Sequence, residues 1–374
     1  MVNSNANAIG IIFPNSYDNL VPELAGDRLM ASIPFAGRYR IIDFLLSSLA
    51  NCGISNIAIV VRENYHSLMD HLGSGRAWDL LRKNGGLSIF PPYAEKNMKV
   101  YSGRVEALES ILPYLKSKKE KYVIMMDANI AVDFDFNAML AEHIESGADV
   151  TVAYTEQEIP AELIRAGSHG DMYYTLKLDD GRVRRIFMNS EMCGKQNLSM
   201  NIYIMDREAL IDKIHAAFVR GYSCFERDIL APRLEKYNIR GYKYDGYYAR
   251  ICGLKSYFDE NMKLLDDENL DALFTGGQIY TKIRDDNPTR YINGCKTKNN
   301  LVADGCVIEG DVENCVLFRG VKIAKGAKIR NSVLMQDTVV KAGARLDYVV
   351  TDKNVTIEVG QELKGTDTQP FYVA

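Results

Sequence analysis

The turn after the first apolar run is placed for phosphate chemistry but carries the wrong residues for it. Ala8–Phe13 is a short, continuous apolar run, the mark of a buried strand. In an α/β sheet, phosphates sit in the turn after the first strand, because ligands bind beyond the carboxyl ends of strands. Here that turn reads Pro14, Asn15, Ser16, Tyr17, Asp18, Asn19 and Leu20, with no glycine before Gly26. Phosphate oxygens need backbone N–H groups at close range, which glycine permits and larger side chains obstruct. A second candidate is Asp127, the carboxylate that ends the apolar run Tyr122–Met126.

The elements that position these groups alternate. Strands are expected at Ala8–Phe13, Asn56–Val61, Tyr122–Met126, Asp149–Ala153, Asn201–Met205 and Arg240–Tyr244. Near-continuous apolar runs such as Ile57–Val61 and Val123–Met126 belong to strands buried on both faces, so a largely parallel sheet is expected. Helical patterns lie between them, at Asp43–Ala50, stopping at Gly53, and at Val105–Leu115. The fold class is α/β, a doubly wound nucleotide-binding domain over residues 1–265. The charged, weakly periodic segment Asp266–Asn287 with its Asn287-Pro288 turn reads as a connection, spanning 266–290.

After residue 300 the period changes. Ile323-x-x-Gly326-x-x-Ile329 recurs as Val340-x-x-Gly343-x-x-Leu346 and Ile357-x-x-Gly360-x-x-Leu363, each copy 17 residues after the last. A short fixed repeat means a solenoid, and aliphatics near every sixth residue favour a left-handed parallel β-helix over 291–374.

With 374 residues and 47% hydrophobic content, the chain can bury two cores. A net charge of −4 and a pI of about 5.9 give no nucleic-acid surface. Seven cysteines, an odd number without CxxC spacing, fit reduced thiols in a cytoplasmic protein better than a disulfide frame or zinc site. No signal peptide and no membrane span are expected.

The run Pro34-Phe35-x-Gly37-Arg38-Tyr39-Arg40-Ile41-Ile42-Asp43-Phe44 resembles the signature of glucose-1-phosphate adenylyltransferase (ADP-glucose pyrophosphorylase). The departures from it resemble the non-catalytic, GlgD-type subunit found beside the catalytic one in Gram-positive glycogen synthesis. The resemblance covers nearly the whole chain and implies a Rossmann-like (GT-A-type) nucleotidyltransferase domain followed by a left-handed β-helix.

Carried over position by position, the resemblance implies a dismantled site. The family's Gly-Gly-x-Gly-Thr-Arg-Leu loop falls on Asn15 to Val21, so its arginine is Leu20, and a family lysine is Met30. Asp18 would face a triphosphate with negative charge; the loop then reads as a polar surface loop without a ligand. The family's Gly-Thr-Ala-Asp-Ala reads Gly103-Arg104-Val105-Glu106-Ala107. Arg104 should crowd the base pocket, unless it is an exposed first-turn side chain. Asp127 matches a Mg²⁺ ligand, but its partner aspartate is Arg250; a strand-end cap or turn role is then expected for Asp127. The lysine of Phe-x-Glu-Lys-Pro is absent from Ile186–Glu191, while Ser199-Met200-Asn201-Ile202-Tyr203 keeps the family's strand. Arg28 and Arg40 match positions that contact a sugar-phosphate effector, with Arg38 beside them; Asp27 and Arg62 depart from that pattern.

The expectation is therefore a regulatory or structural subunit, a pseudoenzyme with no catalytic residues and no cofactor of its own. Mg²⁺ would serve the catalytic partner, in a mixed tetramer under a phosphate or sugar-phosphate effector. Self-association is the alternative assembly, with no nucleic-acid or membrane partner. The first rival is an active nucleotidyltransferase with a rebuilt site, the second a pure sensor. An acyltransferase is disfavoured because all five histidines, at 66, 71, 143, 169 and 215, precede the solenoid.

Overall fold

The computed structural model describes residues 7–83, 85–92, 101, 103–167 and 173–374; His169 lies outside them. Among the described residues the main sheet has nine strands, numbered in chain order: β1 (Ala8–Phe13), β2 (Asn56–Val60), β3 (Gly86–Phe90), β4 (Tyr122–Asp127), β5 (Val150–Gln157), β6 (Tyr174–Asp179), β7 (Arg182–Met188), β8 (Gln196–Asp206) and β9 (Ile239–Lys243). Their spatial order is β3-β2-β1-β4-β8-β5-β9-β7-β6. β1 runs parallel to both β2 and β4.

The sheet is mixed, not largely parallel. β8 is antiparallel to β4 and to β5, and β7 is antiparallel to both its neighbours. Apolar continuity reports burial on both faces, and β8 is buried on both faces whichever way it runs. One face carries Leu45, Leu46, Leu49 and Phe136; the other carries Leu108, Leu112, Ile214 and Phe225.

The helix expected at Asp43–Ala50 is α1 (Ile41–Asn51). Its end is set by Gly53 in the left-handed region (φ 76°) and by the Ile54 N–H bonding back to Leu49. The segment expected as one helix at Val105–Leu115 is two, α2 (Arg104–Ser110) and α3 (Leu112–Lys116). Pro113 starts the second, where its missing N–H costs nothing.

The connecting segment contains a helix that weak periodicity concealed. α4 (Leu254–Lys263) is followed by α5 (Asp267–Phe274), capped by the Asp266 carboxylate. On α5, Leu273 is buried and Phe274 packs against Tyr39 and Phe44.

The solenoid is a parallel β-helix. Ile308, Ile323, Val340 and Ile357 stack in register along one sheet, and Val312, Ile329 and Leu346 along another. An asparagine ladder marks one corner: Asn299, Asn314 and Asn331 all take left-handed φ, and their side-chain amides bond from coil to coil. The two domains share one core, in which Phe35, Tyr257 and Phe258 pack with Val316, Phe318 and Val333.

Candidate functional site

β1 and β4 are in register, so Phe13 sits beside Asp127 at their carboxyl ends, the place where the fold puts ligands. Asp127 is completely buried. One of its oxygens accepts from the Ser16 hydroxyl at 2.7 Å and from Arg104 at 2.7 Å; the other accepts from the Asn201 amide at 2.9 Å. Arg104 also donates to the buried carboxylate of Glu226. Its guanidinium lies over the rings of Phe13 (5.0 Å) and Tyr203 (5.7 Å). Asp127 and Glu226 hold the proton on Arg104 against its burial, and burial together with Glu226 pushes the Tyr203 phenol up.

Arg104 is therefore neither a surface side chain nor merely an obstruction. It is the centre of an ion triad that fills the space under the strand ends. Asp127 is likewise no strand-end cap or turn residue: its carboxylate is the hub through which the first loop, α2 and β8 meet. Gly103, just before Arg104, cannot carry a side chain, because a Cβ there would sit 2.4 Å from the Ser223 carbonyl oxygen. That contact fixes where α2 begins and aims Arg104 inward.

The first loop is built to stay closed without a ligand. Asn15 accepts from the Arg62 N–H at 2.7 Å and donates to Asp18 at 2.8 Å. Asp18 turns back to accept the Met30 N–H at 2.7 Å, so it stiffens the loop where the sequence suggested a charge facing outward. Burial pushes its carboxyl up to about 6. Ser16 and Tyr17 point inward, Tyr17 accepting from Asn201, so this stretch is more than a polar surface loop. Leu20 packs in the apolar cluster around Leu163, and Met30 is fully buried in the shared core.

Arg250 lies on the short strand Tyr248–Arg250, opposite Ile130, three residues past Asp127. Its guanidinium donates to the Ser199 carbonyl at 2.6 Å and rests 5.6 Å above the Tyr248 ring. Its Nε has no hydrogen-bond partner among the described residues.

These residues do not fit Mg²⁺. The one carboxylate at the strand end has three donors on its two oxygens, and two guanidiniums, the buried Arg250 and the largely buried Arg104, lie near it. Among the described residues no group of three His, Cys, Asp or Glu side chains is placed to hold a metal. A cation at ligand distance repels another with several kcal/mol even at an effective dielectric of about 20. In the stretch Ile186–Glu191, Asn189 is spent on structure, bonding Gly167 and the Tyr173 N–H.

The three arginines divide. Pro34–Phe35 and Tyr39–Arg40 form a tight hairpin whose turn puts Ala36 and Gly37 at positive φ, projecting Arg38 and Arg40 together. Both line a cleft of about 290 Å³ where the α/β domain meets the solenoid, with Lys282, Arg284, Arg319 and Lys353. Arg28 does not line it; its guanidinium is committed to Asp352. Within the cleft Lys282 is paired with Asp70, Arg284 with Asp286 and Asp337, and Arg38 loosely with Asp304 at 3.9 Å. Arg40, Arg319 and Lys353 have no carboxylate at ion-pair distance among the described residues. Burial and the neighbouring Arg40 and Arg28 drive the Lys353 amine down to about 7, and burial lowers Arg40 and Arg319 as well.

A nucleotidyltransferase fold with a hexapeptide solenoid is the class these features define, and family comparisons agree. Residues 24–187 match the nucleotidyl transferase family, and residues 285–373 the GlmU-like, C-terminal hexapeptide family, whose coils are of the left-handed type. The chain is 33% identical over 369 residues to the glycogen biosynthesis protein GlgD of Bacillus subtilis, covering 98% of this chain and 95% of that one. It is 37% identical to GlgD of Geobacillus stearothermophilus, covering 99% and 96%. Against the glucose-1-phosphate adenylyltransferase of Bacillus mycoides it is 32% identical, covering 88% and 87%. The chain belongs to the glucose-1-phosphate adenylyltransferase family that includes the GlgD proteins.

Sequence reading missed Glu226, Arg319 and Lys353 as members of these sites. Glu226 lies 122 positions from Arg104 and belongs to no motif quoted above. Asn201 did carry a signal: it stands at a family glycine, adopts φ 57°, and asparagine tolerates that region best after glycine.

Proposed function

We propose that this chain is a regulatory subunit in glycogen biosynthesis, with little or no adenylyltransferase activity alone. It would work beside a catalytic paralogue in a mixed tetramer in the cytoplasm. The single observation that carries this reading is the Arg104–Asp127 ion pair. The position that should hold a metal holds an internal cation, and Arg250 replaces the second ligand. Nucleotidyl transfer by this fold depends on positioning and on neutralising phosphate charge. A first loop without glycine or cation, an occupied carboxylate and a reversed charge together remove that work. Among the described residues, no helix is long and apolar enough to cross a membrane.

The regulatory half of the reading rests on the cleft. Arg40, Arg319 and Lys353, brought together with no carboxylate at ion-pair distance among the described residues and with the Lys353 amine lowered to about 7, form a site suited to a phosphate or sugar-phosphate. The test is kinetic. The purified chain should form no ADP-glucose from ATP and glucose 1-phosphate with Mg²⁺, and should change the activity of the catalytic paralogue when mixed with it. Substantial turnover by the chain alone would refute the reading.

A further inference from the structure

Arg104 has contacts that a chance obstruction would not need. It reaches two buried carboxylates from different parts of the chain, Asp127 at the end of β4 and Glu226 in the irregular helical turn Phe225–Leu230. Its guanidinium lies over two aromatic rings, Phe13 and Tyr203. Without it, two carboxylates that are almost wholly buried would face each other with one positive charge fewer than they need.

We propose that Arg104 is a built-in substitute for a bound cation. It supplies from within the chain the charge that a divalent ion would otherwise bring to Asp127, and it keeps the strand ends assembled without a ligand. This rests on the reading of the site as non-catalytic and says what replaced the chemistry. Glu226 is the residue that makes the exchange complete. One guanidinium spans both acids, bonding each and leaving one negative charge in excess, while its planar face lies over the Phe13 ring. Ser16 and Asn201 satisfy the lone pairs that Arg104 leaves on Asp127.

A consequence separates this from simple blockage. A blocked site stays indifferent to metal when the block is removed, whereas a site whose cation has been removed regains a demand for positive charge. The full chain and its Arg104→Ala variant are compared by thermal unfolding with and without millimolar MnCl2. The wild type should move by less than about 1 °C, since Arg104 already occupies both carboxylates. Arg104→Ala should melt roughly 5 °C lower, because it strands two buried carboxylates, and MnCl2 should return part of the loss. Adding Glu226→Gln to Arg104→Ala should recover stability without metal and weaken the response to MnCl2. That double variant also carries the test if Arg104→Ala alone does not fold.

The proposal fails if MnCl2 stabilises the wild type as much as the variant. It fails equally if Arg104→Ala is as stable as the wild type, or if Glu226→Gln brings no recovery. None of these readouts involves the catalytic paralogue. An active wild-type chain would sink the functional reading, while an unresponsive variant would sink only this one.

Discussion

One guanidinium nitrogen of Arg28 lies 2.6 and 2.7 Å from the two carboxylate oxygens of Asp352, joining positions 324 apart across the boundary between the α/β domain and the solenoid. Asp352 also accepts from the Tyr372 hydroxyl at 2.9 Å and from the Lys353 N–H at 2.7 Å. Lys353 faces the basic cleft. The strut that fastens the domains is therefore one residue from the amine best placed to sense an anion.

Removing the strut should cost more than removing any exposed pair. Arg28→Ala leaves a largely buried carboxylate with two remaining donors, for a loss of about 2 kcal/mol in urea unfolding. Arg38→Ala breaks an exposed 3.9 Å contact with Asp304 and a half-exposed stacking over Tyr39, and should cost less than about 1 kcal/mol. Equal losses would mean that Arg28–Asp352 does not fasten the junction.

Anion binding in the cleft should depend on pH through Lys353. Its amine is lowered to about 7 in the free protein, so it is increasingly neutral above that pH, and an anion restores the proton. Sulfate is a suitable probe because its own charge is constant there. Its affinity should rise roughly five- to tenfold from pH 8 to pH 6 in calorimetry, with proton uptake near neutrality. Lys353→Met should flatten the dependence and weaken binding. Unchanged wild-type affinity across that range would contradict the assignment.

The first loop carries the opposite signature. The Asp18 carboxyl is raised to about 6, so the folded chain holds a proton that the unfolded chain has released above about 4. The Asp18 contribution is thus most favourable below pH 4 and is lost as pH rises from about 4 to 6. The stability difference between wild type and Asp18→Asn should change across that window and be level above it. A constant difference would show that Asp18 titrates normally.

In the solenoid, Asn331 adopts φ 44° and donates to Asp347 at 3.0 Å. Asn331→Ala should cost about 1–2 kcal/mol, from left-handed strain and the lost ladder bond. Asn331→Gly keeps the backbone at ease and should cost less. If both cost the same, the ladder bond outweighs the backbone term.

Much of this was legible in the residues. The 17-residue period fixed the solenoid register, because a coil buries aliphatics only when they recur in phase. Leu20, Met30 and Arg250 stand at positions the long signature anchors, where the resemblance implies a charge or a ligand. What stayed hidden was pairing across distance. Nothing local to Glu226 says that it meets Arg104, and nothing near Arg28 says that Asp352 will claim it. Strand direction was hidden for a similar reason: β8 is apolar because it lies mid-sheet, and burial is blind to polarity of the chain.

The most direct test of the central claim is a crystal structure of the wild-type chain grown with ATP and MgCl2. The account predicts Arg104 still bonded to Asp127 and no metal at ligand distance, about 2.1 Å, from that carboxylate. An ordered nucleotide bridged by a metal to Asp127, with Arg104 swung away, would contradict it.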